Sequence, residues 1–244
     1  MAGAEAQILR TLESFGLQWD GAVVRQSERT ALYAAALDQL QATREVFRCQ
    51  CSRRDISQSI ASGLCCVSQC EQRQASIGSG NVALRWRPKH SAPVSFDDIW
   101  QGRQNIENPP DVVLRRRDGL HAYHLAVVVD DAAQGVNQVV RGADLLECTG
   151  WHILIQRSLG LGVPVYGHLP LLTEANGEKL SKSRRSVTLN AATAGPMLHQ
   201  SLQRLGQRPP TVLAGAPVAE IWHWALRCWR PEALRGTRAV AARA

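Results

Sequence analysis

The chain has 244 residues and a formal net charge of +7, enough for one large domain or two small ones and biased toward an anionic partner such as nucleic acid. No run of about 18 apolar residues occurs, so no membrane span is expected. The cysteines number seven, and the amphipathic, acid-bearing start MAGAEAQILRTLESFG reads as neither signal nor transit peptide. A reduced, cytoplasmic setting is therefore expected rather than a disulfide framework.

The elements follow in chain order. Residues 4–15 place Ile8, Leu9, Leu12 and Phe15 on one helical face, and Gly16 can end the helix. Residues 30–42 predict a second helix with Leu32, Ala36, Leu37 and Leu40 inward. NVALRWR (81–87) and DVVLRRR (111–117) read as strands. HAYHLAVVVDDAAQG is ambiguous, since Val127 to Val129 favour strand while the flanking alanines allow helix. VNQVVRG predicts a strand, ADLLECTGWHILIQRSLG a helix despite Gly150, and 195–205 and 217–229 two more helices. This alternation predicts a mixed α/β core with a helical C-terminal end.

Residues 49–70 hold Cys49, Cys51, Cys65, Cys66 and Cys70. A C-x-C pair can place two thiolates on one zinc ion across a tight turn, and a C-x-x-x-C pair can complete a tetrahedron. Spacing alone leaves Cys65 and Cys66 as alternatives for the third ligand. Further on, GEKLSKS (177–183) puts two lysines and two serines just after an Asn176-Gly177 turn signal. The apolar run VYGHLPLL precedes it, so the lysines are expected on a loop beyond a buried strand, where α/β sheets bind ligands.

Five segments occur in a fixed order: QWDG, CQCSRRDI, RRRDGLHAYHLAVVVDDAAQGVNQVVRGADLLECT, YGHLPLL and GEKLSKS. In this the chain resembles the glutamyl-Q tRNA(Asp) synthetases, short paralogues of glutamyl-tRNA synthetase. The resemblance runs from about residue 3 to about residue 230 and is most specific between 111 and 183. It implies a Rossmann-like class I aminoacyl-tRNA synthetase core with a zinc-binding insertion. Residues 1–190 would form a partial catalytic domain with the zinc segment at 45–75, and 191–244 a helical region with no anticodon-binding domain. The implied reaction activates glutamate with ATP, magnesium accompanying the nucleotide, and esterifies it to the queuosine base at the wobble position of tRNA(Asp). A monomer is implied.

The resemblance also assigns residues. Lys179, Leu180, Ser181, Lys182 and Ser183 match the KMSKS-type loop that closes on the ATP triphosphate, with Lys182 and Lys179 as the catalytic cations. Tyr123 and Arg141 match the glutamate-binding pair. A guanidinium can grip a carboxylate through two hydrogen bonds, and a tyrosine adds a neutral donor. For Arg141 the structural alternative is a salt bridge to Asp144 or Glu147. The implied zinc ligands are Cys49, Cys51, Cys66 and Cys70, with Cys66 replacing a usual tyrosine and Cys65 left spare.

The family's other phosphate-binding half, a strand and a HIGH-like loop, would lie before residue 3. The chain is therefore expected to be an N-terminally truncated core. A catalytically inactive, zinc-containing tRNA-binding fragment stands as the alternative function.

Overall fold

The structure is a computed structural model and describes residues 3–51, 55, 80–88, 93–107, 111–174, 177, 179–180, 189 and 191–242. Helix α1 spans Ala4–Ser14, as its periodicity predicts, but none of its residues is fully buried and Ile8 is 60% exposed. The Trp222 indole N–H donates to the Phe15 carbonyl at 2.7 Å, tying the end of α1 to the C-terminal region.

Helix α2 spans Thr30–Ala42. Its inward residues are Tyr33, Leu37 and Leu40, at i, i+4 and i+7, whereas Leu32 is 41% exposed. The expectation that Leu32 points inward is thus corrected. The buried stripe centres on Tyr33, whose hydroxyl donates to Asp130 at 2.7 Å.

Strands β1 (Val46–Cys49) and β2 (Ala83–Trp86) pair antiparallel with each other. β2 also pairs antiparallel with β5 (Val112–Arg115). All four β2 side chains are buried. Leu84, Trp86, Val112 and Leu114 meet Leu37 and Leu40 of α2 in one core. Each such aliphatic side chain contributes roughly 1.5–3 kcal/mol by leaving water.

The ambiguous segment forms helix α3 (Tyr123–Ala133). Leu125, Ala126, Val128 and Val129 bury the core-facing side of α3. Packing of that face overrides the strand preference of the three valines. Residues 143–158 divide into a short 3-10 turn at Ala143–Leu145 and helix α4 (Thr149–Ser158). Gly150 lies where α4 packs on Ile106, and a Cβ there would sit 2.9 Å from an Ile106 methyl. Close approach explains a glycine in that first turn.

A second sheet has the order β4-β3-β7-β6, from β3 (Val94–Asp98), β4 (Gly102–Ile106), β6 (Gln138–Gly142) and β7 (Val165–Leu169). β3 and β4 form an antiparallel hairpin, while β7 runs parallel to both β3 and β6. Val94 and Tyr166 of this sheet pack with Ile153 of α4. β8 (Leu171–Thr173) pairs in parallel with β9 (Ala239–Ala241). Helices α5 (Ala194–Arg204) and α6 (Val218–Cys228) join through Leu198, Leu202, Leu213, Ile221 and Ala225. Among the described residues no helix is long and apolar enough to cross a membrane.

Candidate active site

The C-terminal ends of three parallel strands converge. β3 ends in Asp98, and Arg141 and His168 each sit one residue before the end of β6 and β7. The parallel register sets Arg141 opposite His168 and Asp98 opposite Tyr166. Open α/β sheets bind ligands beyond such ends. The first turns of α3 and α4 add Tyr123 and His124, and Thr149 and His152.

The Arg141 guanidinium is held on several sides. Nε donates to His168 Nε2 at 3.1 Å, and Nη1 donates to His152 Nδ1 at 3.0 Å. Nη2 donates to Thr149 Oγ1 at 2.8 Å and to the Leu145 carbonyl at 3.3 Å. The Tyr166 ring centroid lies 5.2 Å from the guanidinium carbon, a cation–π contact.

Arginine has no acceptor, so both imidazole nitrogens facing it are unprotonated. His168 therefore carries its proton on Nδ1 and donates it to Asp98 Oδ2 at 2.6 Å. His152 carries its proton on Nε2 and donates it to His124 Nδ1 at 3.0 Å.

Electrostatics keeps these imidazoles neutral. Burial, the Arg141 charge, and the neighbouring His124 and His168 push His152 down to about 3. Burial and Arg141 also lower His124. Burial lowers His168 against the pull of Asp98. Burial alone would raise Asp98, but hydrogen bonds from the His168 ring and the Gln101, Trp100 and His168 amides hold it below the usual carboxylate range.

All the acceptors around Arg141 are thus neutral. Among the described residues no acid forms an ion pair with it, and Asp144 pairs instead with Lys179. The structural salt bridge to Asp144 or Glu147 is not found there. Among the described residues Asp131 feels the Arg141 charge without pairing with it, and a half-buried cation with no acid in direct contact favours an incoming anion. Four contacts use the guanidinium's donors, which leaves one Nη1 N–H. A carboxylate takes one N–H directly, and a second only by displacing an internal partner.

Tyr123 is 46% exposed and meets the His152 ring edge-on at 5.9 Å. Tyr123 and Arg141 therefore both touch His152, and the structure brings the expected pair together. Lys179 bridges Thr173, and the Leu180 N–H donates to the Leu172 carbonyl at 2.9 Å. Lys179 pairs with Asp144 in the short turn that follows β6, the strand that carries Arg141. Ser181, Lys182 and Ser183 lie outside the described residues.

Cys49 ends β1 and is 1% exposed, and Cys51 is half-buried two residues later. Cys65, Cys66 and Cys70 lie outside the described residues. Among the described residues no group of three or more His, Cys, Asp or Glu is placed to hold a metal.

The model for "tRNA synthetases class I (E and Q), catalytic domain" matches residues 1–195. The chain belongs to this family. By that membership it is a ligase of the aminoacyl-tRNA synthetase class. The synthetase is 44% identical over 244 residues to a protein of Ectopseudomonas mendocina named glutamyl-Q tRNA(Asp) synthetase, covering 98% of this chain and 80% of that one. It is 45% identical over 235 residues to a protein of the same name from Xanthomonas oryzae pv. oryzae, covering 95% of this chain and 76% of that one. The solved glutamate-tRNA synthetase of Elizabethkingia anophelis superposes with a TM-score of 0.73 at 19% identity, covering all of this chain and 59% of its own. That likeness shows the fold alone, and the fold is the class I synthetase catalytic fold with mixed α/β layers.

The sequence reading missed Asp98, Thr149, His152 and His168. Two signals were present. Thr149 and His152 stand at i, i+3 on one helix face, and Tyr166 and His168 stand at i, i+2 on one strand face.

Proposed function

We propose that the synthetase activates glutamate with ATP and transfers it to the queuosine base at the wobble position of tRNA(Asp). The single observation that carries the reading is Arg141, a cation held entirely by neutral partners at the strand ends, beside the half-exposed Tyr123. The names of the curated relatives support the choice of glutamate and of tRNA(Asp).

Arg141 binds a glutamate carboxylate through its remaining Nη1 N–H and its charge. Tyr123 supplies a hydroxyl donor and one wall. The substrate's reacting carboxylate attacks the α-phosphorus of ATP in line, and pyrophosphate leaves. A hydroxyl of the base then attacks the acyl carbon of the adenylate, loses its proton, and AMP leaves. Lys179 and Lys182 close on the triphosphate, where charge builds in the transition state, and Leu180, Ser181 and Ser183 shape the loop. Lys179 must first leave Asp144, so ATP competes with that ion pair. The nucleotide enters as its magnesium complex.

Zinc is proposed on Cys49, Cys51, Cys66 and Cys70. The positions of Cys49 and Cys51 fit a C-x-C half-site, since Cys49 ends a paired strand and Cys51 lies two residues beyond it. The ion would anchor segment 45–75. Residues 1–190 serve as the catalytic part and 191–244 as a helical region, and the enzyme works as a monomer.

The test is transfer of labelled glutamate to tRNA(Asp) that carries queuosine and to the same tRNA with guanosine in its place. Label is expected only on the first, and it should persist after the 3′-terminal adenosine is removed. Label confined to the 3′ end would redirect the reading to an ordinary glutamyl-tRNA synthetase. Binding of tRNA without any transfer would favour the non-catalytic alternative.

A further inference from the structure

We infer that Asp98 is a positioning residue for the glutamate site, acting through His168 to keep the acceptor nitrogen of that imidazole aimed at Arg141. This rests on the reading of Arg141 as the glutamate-binding cation.

The two oxygens of Asp98 have different tasks. Oδ1 accepts the backbone N–H groups of Trp100 at 3.0 Å, Gln101 at 2.9 Å and His168 at 3.2 Å. Oδ2 accepts His168 Nδ1 at 2.6 Å. Both side chains are fully buried, so water cannot substitute for any partner. The tight turn after β3 therefore fixes which oxygen faces the ring, and the ring must present a proton there. Its other nitrogen, Nε2, is then left to accept from Arg141 Nε at 3.1 Å, with the Thr149 hydroxyl 3.2 Å away.

Asp98→Asn tests this lock with an isosteric change. Three backbone donors still demand an acceptor at the Oδ1 position, so they orient the amide oxygen there. The amide NH2 must then face His168 Nδ1. That nitrogen becomes the acceptor, and the ring's single proton moves to Nε2. Two donors, Nε2–H and the Arg141 Nε–H, now oppose each other. Arg141 loses an anchor and turns away from the position in which it meets the substrate. A pure charge effect has the opposite sign. Removing the buried negative charge makes the site more positive, which by itself tightens anion binding.

The experiment uses the full chain, wild type and Asp98→Asn, labelled with 15N at the histidine rings. Nitrogen NMR reads the His168 tautomer, and calorimetry measures the Kd for glutamate and for ATP. The expected result is a proton on Nδ1 in the wild type and on Nε2 in the variant. The glutamate Kd should rise about tenfold or more, as for loss of a buried charge-assisted hydrogen bond, while the ATP Kd stays within about twofold. A variant that keeps its proton on Nδ1, or that binds glutamate as tightly as the wild type, would overturn the inference. Should the variant fail to fold, the wild-type tautomer decides. A proton on Nε2 overturns the lock, and a proton on Nδ1 supports it. Wild-type protein that shows the Nδ1 tautomer but no glutamate binding would overturn the functional reading of Arg141, and with it the claim on glutamate, while the imidazole lock stood.

Discussion

Arg141 and His152 share a hydrogen bond of 3.0 Å in which the arginine is necessarily the donor. The imidazole must stay neutral for the contact to exist. Burial and the adjacent guanidinium enforce this by pushing His152 down to about 3.

Acid should therefore weaken the fold. The folded His152 titrates below its unfolded value, so the unfolded chain binds more protons between roughly pH 6.5 and pH 3, and stability is lost as the pH falls through that window. Burial shifts His124 and His168 in the same direction. Asp131, raised by burial, works in the opposite sense. Urea unfolding at about pH 7.5 and about pH 5 should show a loss of roughly 2 kcal/mol or more. His152→Gln should flatten the profile. Equal stability at both pH values would contradict the neutral imidazoles.

Asp130 is the hub between α2 and α3. Its Oδ2 accepts Tyr33 Oη at 2.7 Å and Gln26 Nε2 at 2.8 Å, and Arg29 Nε makes an ion contact of 2.7 Å with Oδ1, off the hydrogen-bond axis. Burial, with Asp130 alongside, pushes the Tyr33 phenol up to about 12. Asp130→Ala strands a cation, a hydroxyl and an amide and should cost about 3 kcal/mol. Tyr33→Phe removes one donor only and should cost about 1 kcal/mol. Chemical denaturation of both variants checks the order, and a milder effect from Asp130→Ala than from Tyr33→Phe would show that the hub is misassigned.

Gly167 lies under Trp100, and a Cβ there would come within 2.6 Å of the indole ring. The neighbour is rigid, and Gly167 adjoins His168 on β7. Gly167→Ala is expected to lower stability by about 1–3 kcal/mol through overpacking and to shift the tryptophan emission. Unchanged melting and emission would mean that the strand and the ring do not sit this close.

Metal content bears on the cysteine proposal. Protein purified without chelator should hold about one zinc per chain, since a four-thiolate set satisfies tetrahedral coordination. Cys66→Ser should weaken retention and Cys65→Ser should not. The reverse pattern would reassign the third ligand, and near-zero metal in the wild type would remove the site.

The sequence showed some parts of this molecule better than others. Apolar runs marked β2, β5 and β6 because those strands carry consecutive buried or β-branched residues. The hairpin at 94–106 escaped notice because β4 reads Gly-Arg-Gln-Asn-Ile, which has no apolar alternation. Three successive valines made α3 ambiguous, and only its partners in the core decide it. Motifs singled out Arg141, Tyr123 and the lysine loop as candidates. They could not locate Asp98, since its partnership with His168 is a matter of register between β3 and β7, set by strands far apart in the chain.

Glutamate-dependent exchange of label between pyrophosphate and ATP tests the central claim most directly, with wild type and Arg141→Ala compared across glutamate concentrations. The wild type should catalyse the exchange. Arg141→Ala should need far more glutamate, equivalent to about 2–5 kcal/mol for a charge-assisted contact whose partner stays buried, while its ATP requirement changes little. Exchange by Arg141→Ala with the wild-type glutamate dependence would contradict the assignment of this site.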